Sequence, residues 1–365
     1  MGNPKSQILM NKDTFSQSEP LPLVTSPAVL QKAMLYKLNS CMGTRGELLL
    51  PCIPGMLDYY IKLIDKLFAD LGRPMPEDRR LQLRGLLESK LKEGFGISAT
   101  SVLVVQYESV RPPKTGMACQ FAIRSPTVGE HYQSWVETRK SPLFGSHPDA
   151  KVMAVAAEMA TMGKLRILDV GGGTGRNALP LARNGHSVEV LELAPVFVEK
   201  LQGAAGKEGL SLKVKEGDIL DPLVRMRPSF YQVAIATEVT SHFRSTDQLR
   251  LFLAKMCDYL ATGGLLLFNI FLNVGGYEPN ALVRQMAEQA WSTLFAEGEL
   301  AAAMEELPLT IIANESALEY ERQHLPPEAW PPTSWFQSWA TGRDVFPIAD
   351  GRPPMELRWI LCRRG

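Results

Sequence analysis

The stretch of the chain with the clearest chemical spacing is Leu165-Arg-Ile-Leu-Asp169-Val-Gly171-Gly172-Gly173-Thr174-Gly175-Arg-Asn, a buried-strand pattern that breaks into glycines and then turns helical. Glycines at such a turn let the backbone approach a ligand where a Cβ would clash. The helix that follows offers unpaired N–H groups and a positive dipole end, which suits a carboxylate as well as a phosphate. A nicotinamide or flavin loop needs G-x-G-x-x-G, and Arg176 stands where its third glycine should be; the G-K-[ST] of a P-loop is missing too. Acids follow at the ends of the next apolar runs. Val188-Glu-Val-Leu-Glu192 closes about twenty residues past the glycines, where a carboxylate can accept both ribose hydroxyls. Lys215-Glu-Gly-Asp218-Ile219 closes the third run, and Val233 to Thr237 leads into Glu238-Val-Thr-Ser241-His242-Phe243.

An acid two residues before G-x-G-x-G resembles motif I of the class I S-adenosylmethionine-dependent methyltransferases. The later acids are similar in order and spacing, and Tyr259-Leu-Ala-Thr-Gly263-Gly264-Leu-Leu-Leu-Phe268 resembles that family's turn into its fifth strand. The resemblance covers residues 130 to 272 well and the rest of the C-terminal part loosely. It implies S-adenosylmethionine as cofactor, with Asp169, Gly171, Gly173 and Gly175 around its methionine part and Glu192 at the ribose. It further implies Asp218 accepting from the adenine amino group, the Ile219 N–H against the ring, and Glu238 beside them. A glycine turn alone can be plain structure, and Glu192 and Asp218 can each be solvated strand-end acids; four positions in order carry the assignment.

A methyl group on a sulfonium is already activated, so transfer needs a nucleophile held in line more than it needs acid–base machinery. A hydroxyl or protonated nitrogen acceptor also needs a base, and His242, after the fourth strand, is the candidate. The alternative is that His242 packs against the donor or caps the next helix. In Gly129–Arg139, which resembles the family's capping helix, Tyr132 and Trp135 are expected as lid aromatics or else as interdomain core. The resemblance also implies a short hairpin between the last two strands, Leu309–Ala313 and Glu356–Leu361. Here an aromatic-rich insertion at about 314–354 intervenes, including Trp335: an ordered lid or partner surface, or an extra helical pair plugging the core. Thr237-Glu238-Val239-Thr240 replaces the Asn-Pro-Pro-aromatic run of relatives that methylate nucleobases or amides, which argues against a nucleic-acid acceptor. No carboxylate trio or His/Cys cluster is spaced for a metal, and none is expected.

The elements that must position these groups follow from hydrophobic period. Apolar runs at 165–170, 188–193, 211–215, 232–237 and 264–271 alternate with helical stretches, giving an α/β fold with a seven-stranded, mostly parallel Rossmann-like sheet. Upstream, Leu57, Tyr60, Ile61, Ile64, Leu67, Phe68 and Leu71 predict a helix, residues 81–91 a second, and 102–107 with 119–123 a hairpin around the loop Arg111–Gly116. The expected organisation is a disordered tail over 1–25, an α+β accessory domain over 26–128 and a methyltransferase domain over 129–365. Thirty-nine basic residues balance thirty-nine acidic ones, so no net field draws the chain to nucleic acid. Five scattered cysteines, no leader pattern and no membrane-length apolar stretch give a cytoplasmic expectation. The resulting expectation is an enzyme acting on a small molecule, with a protein acceptor as the first rival and a non-catalytic scaffold as the second. The oligomeric state is not legible.

Overall fold

The computed structural model describes residues 25–41, 43–110, 116–140 and 142–365. The tail expected over 1–25, but for its last residue, and the loop at 111–115 lie outside the described residues. The first unit runs α1 (Pro27–Cys41), β1 (Arg45–Pro51), α2 (Leu57–Asp70), α3 (Glu77–Ile97), β2 (Val102–Ser109) and β3 (Met117–Arg124). The two β runs read from the sequence pair antiparallel, with Val104 opposite Ala122, but β1 adds itself to the other edge of β2 and makes a three-stranded sheet. Leu48-Leu49-Leu50 is too short a run for its period to separate strand from helix, so pairing with β2 decides it. Tyr60, Ile61, Ile64 and Phe68 of α2 and Leu83, Leu87 and Leu91 of α3 bury against Leu103 and Val105 of that sheet.

The second unit continues with α4 (Val128–Thr138), α5 (Ala150–Met159), β4 (Arg166–Val170), α6 (Ala178–Arg183), β5 (Ser187–Glu192), α7 (Pro195–Lys207), β6 (Leu212–Glu216), β7 (Tyr231–Ala236), α8 (Thr246–Tyr259), β8 (Leu260–Asn273), α9 (Ala281–Gln289), β9 (Leu294–Phe295), α10 (Glu297–Met304) and β10 (Leu309–Ser316). It closes with α11 (Ala317–His324), α12 (Phe336–Ala340) and β11 (Met355–Arg364). The sheet order is β10-β11-β8-β7-β4-β5-β6, with the two-residue β9 added on β8. Strands β4 to β8 run parallel, while β10 and β11 run antiparallel at one edge. Each central strand feeds both faces: Ile167, Val233 and Leu267 enter one core cluster, Leu168, Ala234 and Leu266 the other. Burial on both sides is what made these runs uniformly apolar. From β4 the chain steps out through β5 to β6 and then returns to the opposite side of β4 as β7. Ligands of such sheets bind in the crevice at that reversal, beyond the carboxyl ends of the strands.

The insertion between β10 and β11 folds as α11, a 3-10 turn at Pro327–Ala329 and α12. Phe336, Trp339 and Val345 are buried in one cluster with Phe271 and Trp359 of the sheet, the Trp339 and Phe271 rings meeting edge-on at 4.9 Å. Of the two readings, the core plug is the one the fold adopts. Trp335, expected as a lid aromatic, packs on Trp339 with ring centroids 5.6 Å apart and does not reach the cleft. The buried Phe336 and Trp339 hold α12 against the sheet and carry Trp335 with them. Among the described residues no helix is long and apolar enough to cross a membrane.

Candidate active site

A cleft of about 1110 Å³, mouth included, opens beyond the ends of β4, β5 and β7. The loop after β4 takes left-handed backbone angles at Gly171 (φ +70°), Gly173 (+54°) and Gly175 (+89°), a region that costs any residue with a Cβ. The glycines serve different ends. A Cβ on Gly171 would lie 2.5 Å from Val239, and one on Gly172 2.5 Å from Val190, so protein packing requires them bare. A Cβ on Gly173 would meet only Phe144, at 3.7 Å, across the cleft. Gly175, expected at the donor, does not line the cleft; it is buried where a Cβ would press on Leu201 at 2.4 Å and Leu179 at 2.9 Å. Regular helix begins only at Ala178 and lasts six residues, so the dipole expected at the loop is that of a short helix.

The strand-end acids converge here. Asp169 is 1% exposed, and among the described residues neither of its carboxylate oxygens has a hydrogen-bond donor. Burial, then the nearby Glu192 and Asp149 charges, push its pKa up to about 8. Glu192 accepts from the Gly173 N–H and the Ala194 N–H, both at 2.8 Å, so it ties the glycine loop to the end of β5. Burial raises its pKa while those backbone N–H groups oppose the shift. Asp218 accepts from the Leu220 N–H at 2.8 Å through one oxygen, and Ile219 is buried along the same wall.

Glu238 sits in a left-handed conformation (φ +61°), its N–H held by the Asn269 side chain at 2.7 Å. Its carboxylate accepts from Arg176 at 2.8 Å, and the other arm of that guanidinium reaches Asp149 at 2.6 Å. Sequence reasoning used Arg176 only as a departure from the nicotinamide pattern. In the fold it is the buried cation shared between Asp149 and Glu238, and a guanidinium suits the task because it stays charged and forks between two acids. An arginine inside a glycine turn was the available signal.

The far side of the cleft is aromatic. Thr127 and Glu130 exchange hydrogen bonds in a capping box that starts α4, and α4 carries Tyr132 over the cleft, 5.0 Å from the Phe197 ring. Phe144, which no periodicity singled out, lies 5.4 Å from Phe197 and lines the cleft as well. Trp135, also expected as a lid, does not line the cleft; it lies 4.9 Å from the Trp291 ring and under the Arg139 guanidinium at 3.7 Å. His242 lies in the 3-10 turn Thr240–His242, and its Nε2 is 3.3 Å from the Tyr132 hydroxyl. Burial first, and the neighbouring His131 second, lower its pKa to about 4, so the imidazole is neutral at neutral pH.

Residues 167–264 match the methyltransferase domain family. Over 132 residues the chain is 30% identical to a probable non-canonical nonribosomal peptide synthetase of Salinispora arenicola, covering 35% of this chain and 2% of that one. It is 40% identical over 57 residues to the tRNA 5-carboxymethoxyuridine methyltransferase of Escherichia coli, covering 16% and 22%. The chain thus spans 2% and 22% of the length of these curated relatives. Among solved structures it is similar to the geranyl diphosphate C-methyltransferase of Streptomyces coelicolor in complex with Mg2+, geranyl diphosphate and S-adenosylhomocysteine. That likeness is at 15% identity and TM-score 0.44, over 65% of this chain and 97% of that one. The strand order and the acid-flanked glycine loop, together with the family match, define residues 167–264 as part of a class I S-adenosylmethionine-dependent methyltransferase fold. The methyl donor of that class is S-adenosylmethionine. The residues fit it: the two partnerless oxygens of Asp169 suit a cationic amino acid moiety, and Gly173 leaves the loop open toward the cleft.

Proposed function

We propose that the protein transfers a methyl group from S-adenosylmethionine to an oxygen or nitrogen of a small apolar or aromatic acceptor. The observation that carries this reading is the composition of the cleft, carboxylates along one wall and Tyr132, Phe144 and His242 along the other. In this reading residues 129–365 are the methyltransferase domain and residues 26–128 an accessory domain. When bound, S-adenosylmethionine supplies a methyl group already activated on its sulfonium. Asp169 holds the donor's ammonium group, Glu192 accepts from its ribose hydroxyls, and Asp218 and the Ile219 N–H meet its adenine. Gly173 lets the loop backbone close on it, Gly171 lines the same wall, and Glu238, pinned by Arg176, completes it. The rings of Tyr132 and Phe144 exclude water and favour a flat or apolar acceptor.

His242 takes the acceptor's proton. Its low basicity is no obstacle, because the proton on an oxygen or nitrogen becomes strongly acidic as the new bond to carbon forms. The Tyr132 hydroxyl, against Nε2, fixes the imidazole's orientation.

Titration calorimetry with S-adenosylhomocysteine tests the donor half; no binding would end the proposal. Labelled donor is then offered to a panel of phenols and amines, to bulk tRNA, since one relative acts on tRNA, and to cell-extract protein. Label in small molecules supports the acceptor class, and label confined to tRNA or to a protein band replaces it. His242→Ala is expected to lower kcat by about 10²- to 10⁴-fold, the usual range for a lost general base, with donor affinity kept. An unchanged rate makes His242 a packing residue.

A further inference from the structure

The C-terminus of α9 has a feature that its own stability does not explain. The Ser292 N–H bonds to the Ala287 carbonyl at 2.9 Å and the Trp291 N–H to the Glu288 carbonyl at 3.1 Å, the paired bonds of a Schellman cap. Such a cap needs a left-handed residue, a position where glycine sits without cost. This chain has Trp291 there, with φ +54°. A bulky residue held in that region points to what its side chain is for.

The indole sits among four rings. Its centroid lies 4.6 Å from His131, 4.9 Å from Trp135, 5.0 Å from His242 and 5.5 Å from Tyr132. Two of these, His242 and Tyr132, line the cleft, whereas Trp291 does not. Its carbonyl accepts the Trp339 indole N–H at 3.1 Å, and the Thr293 N–H bonds to the Ser241 carbonyl at 3.2 Å, next to His242. Trp339 is buried in the insertion, so the segment joins the core plug to the turn that carries His242.

We propose that Trp291 is a positioning residue: its indole, presented by the strained cap of α9 and braced by Trp339, clamps the His242 and Tyr132 rings at the acceptor end of the cleft. The proposal rests on the reading of that end as the acceptor side. It also gives the aromatic insertion a part in the site through Trp339, not through Trp335.

The test needs no acceptor. Full-length wild type, Trp291→Gly, Trp291→Phe and Trp339→Phe are treated with diethyl pyrocarbonate, and carbethoxylation of each histidine is followed by peptide mass spectrometry. Circular dichroism reports the fold, and calorimetry with S-adenosylhomocysteine the donor site. Glycine is the residue this cap favours, so Trp291→Gly keeps the backbone. The His242 rate is expected to rise about tenfold or more, as for a group released by local opening. Trp291→Phe should restore most of the protection, Trp339→Phe should lose part of it, and the distant His186 should keep its rate throughout.

An unchanged His242 rate in folded Trp291→Gly overturns the clamp, as does a rise shared equally by His186. If Trp291→Gly does not fold, unchanged His242 rates in both phenylalanine variants overturn it. Wild type that fails to bind S-adenosylhomocysteine ends the donor reading while the histidine rates still decide the clamp. Intact donor binding with unchanged rates ends the clamp alone.

Discussion

Asp169 keeps two carboxylate oxygens away from solvent and, among the described residues, from any donor, and its consequences are measurable before a substrate is known. Its pKa rises from 3.8 to about 8 on folding, so the donor-free protein holds a proton that the unfolded chain releases. That contribution is present in full below the unfolded value and is lost as pH rises through about 8. His242 acts in the opposite sense: its pKa falls from 6.5 to about 4, so its contribution is present above 6.5 and lost as pH falls toward 4. Between 6.5 and 8 the carboxyl acts without that opposition, with Glu321, raised chiefly by burial, adding the same sign. The thermal midpoint of the donor-free protein should therefore fall over this window, and Asp169→Asn should flatten most of the slope; an equal slope in the variant would show Asp169 ionised. Arg176 is the complementary case. Arg176→Met strands Asp149 and Glu238 without their buried cation, and urea unfolding should show a loss of about 3–5 kcal/mol, the usual cost of breaking a buried pair.

At the scale of elements, the loop between β4 and α6 divides its glycines between protein packing and the open cleft. Gly175→Ala forces a Cβ into Leu179 and Leu201 and a left-handed angle on alanine, so unfolding should show a loss of roughly 2–4 kcal/mol. Gly173→Ala meets only open contact with Phe144, so it should cost about 1–2 kcal/mol of backbone strain and act mainly on S-adenosylhomocysteine affinity. Equal stability losses would mean that both glycines serve packing. The strand-end acids were legible because a two-sided apolar strand followed by an acid marks a carboxyl end, and in this sheet those ends border the cleft. Gly175 was misassigned because type and spacing do not say which side of a turn the absent Cβ would occupy. Phe144, in a stretch with no helical or strand period, gave no signal.

At the scale of the molecule, the two units are joined beside the site. Arg244, two residues past His242, stacks on Phe95 and donates to the Phe95 carbonyl at 2.6 Å and to Glu288 at 2.8 Å, while the Gly55 N–H meets Gln285 at 2.8 Å. Arg244→Ala should loosen this docking by about 1.5–3 kcal/mol, the range for hydrogen bonds to a charged group. Hydrogen exchange should then quicken in the last turn of α3 while β4 stays protected; an unchanged α3 would place the docking elsewhere. By itself the sequence determined the parallel sheet, the glycine turn and the order of the acids, because each is set by local period, by backbone angles only glycine takes freely, or by short spacing along one strand and its turn. Tertiary structure decided which aromatic residues face the cleft: Tyr132 but not Trp135 or Trp335, and Phe144, which had no sequence signal. Tyr132 and His242, 110 positions apart, meet there with Phe144, backed by Trp291 and its anchor Trp339 outside the cleft, and only close packing chooses which of many apolar residues meet. That packing also turned the aromatic insertion into a core plug that reaches the surroundings of the site through the Trp339 N–H on the Trp291 carbonyl and through Glu321, which accepts from the Ala150 and Lys151 N–H groups.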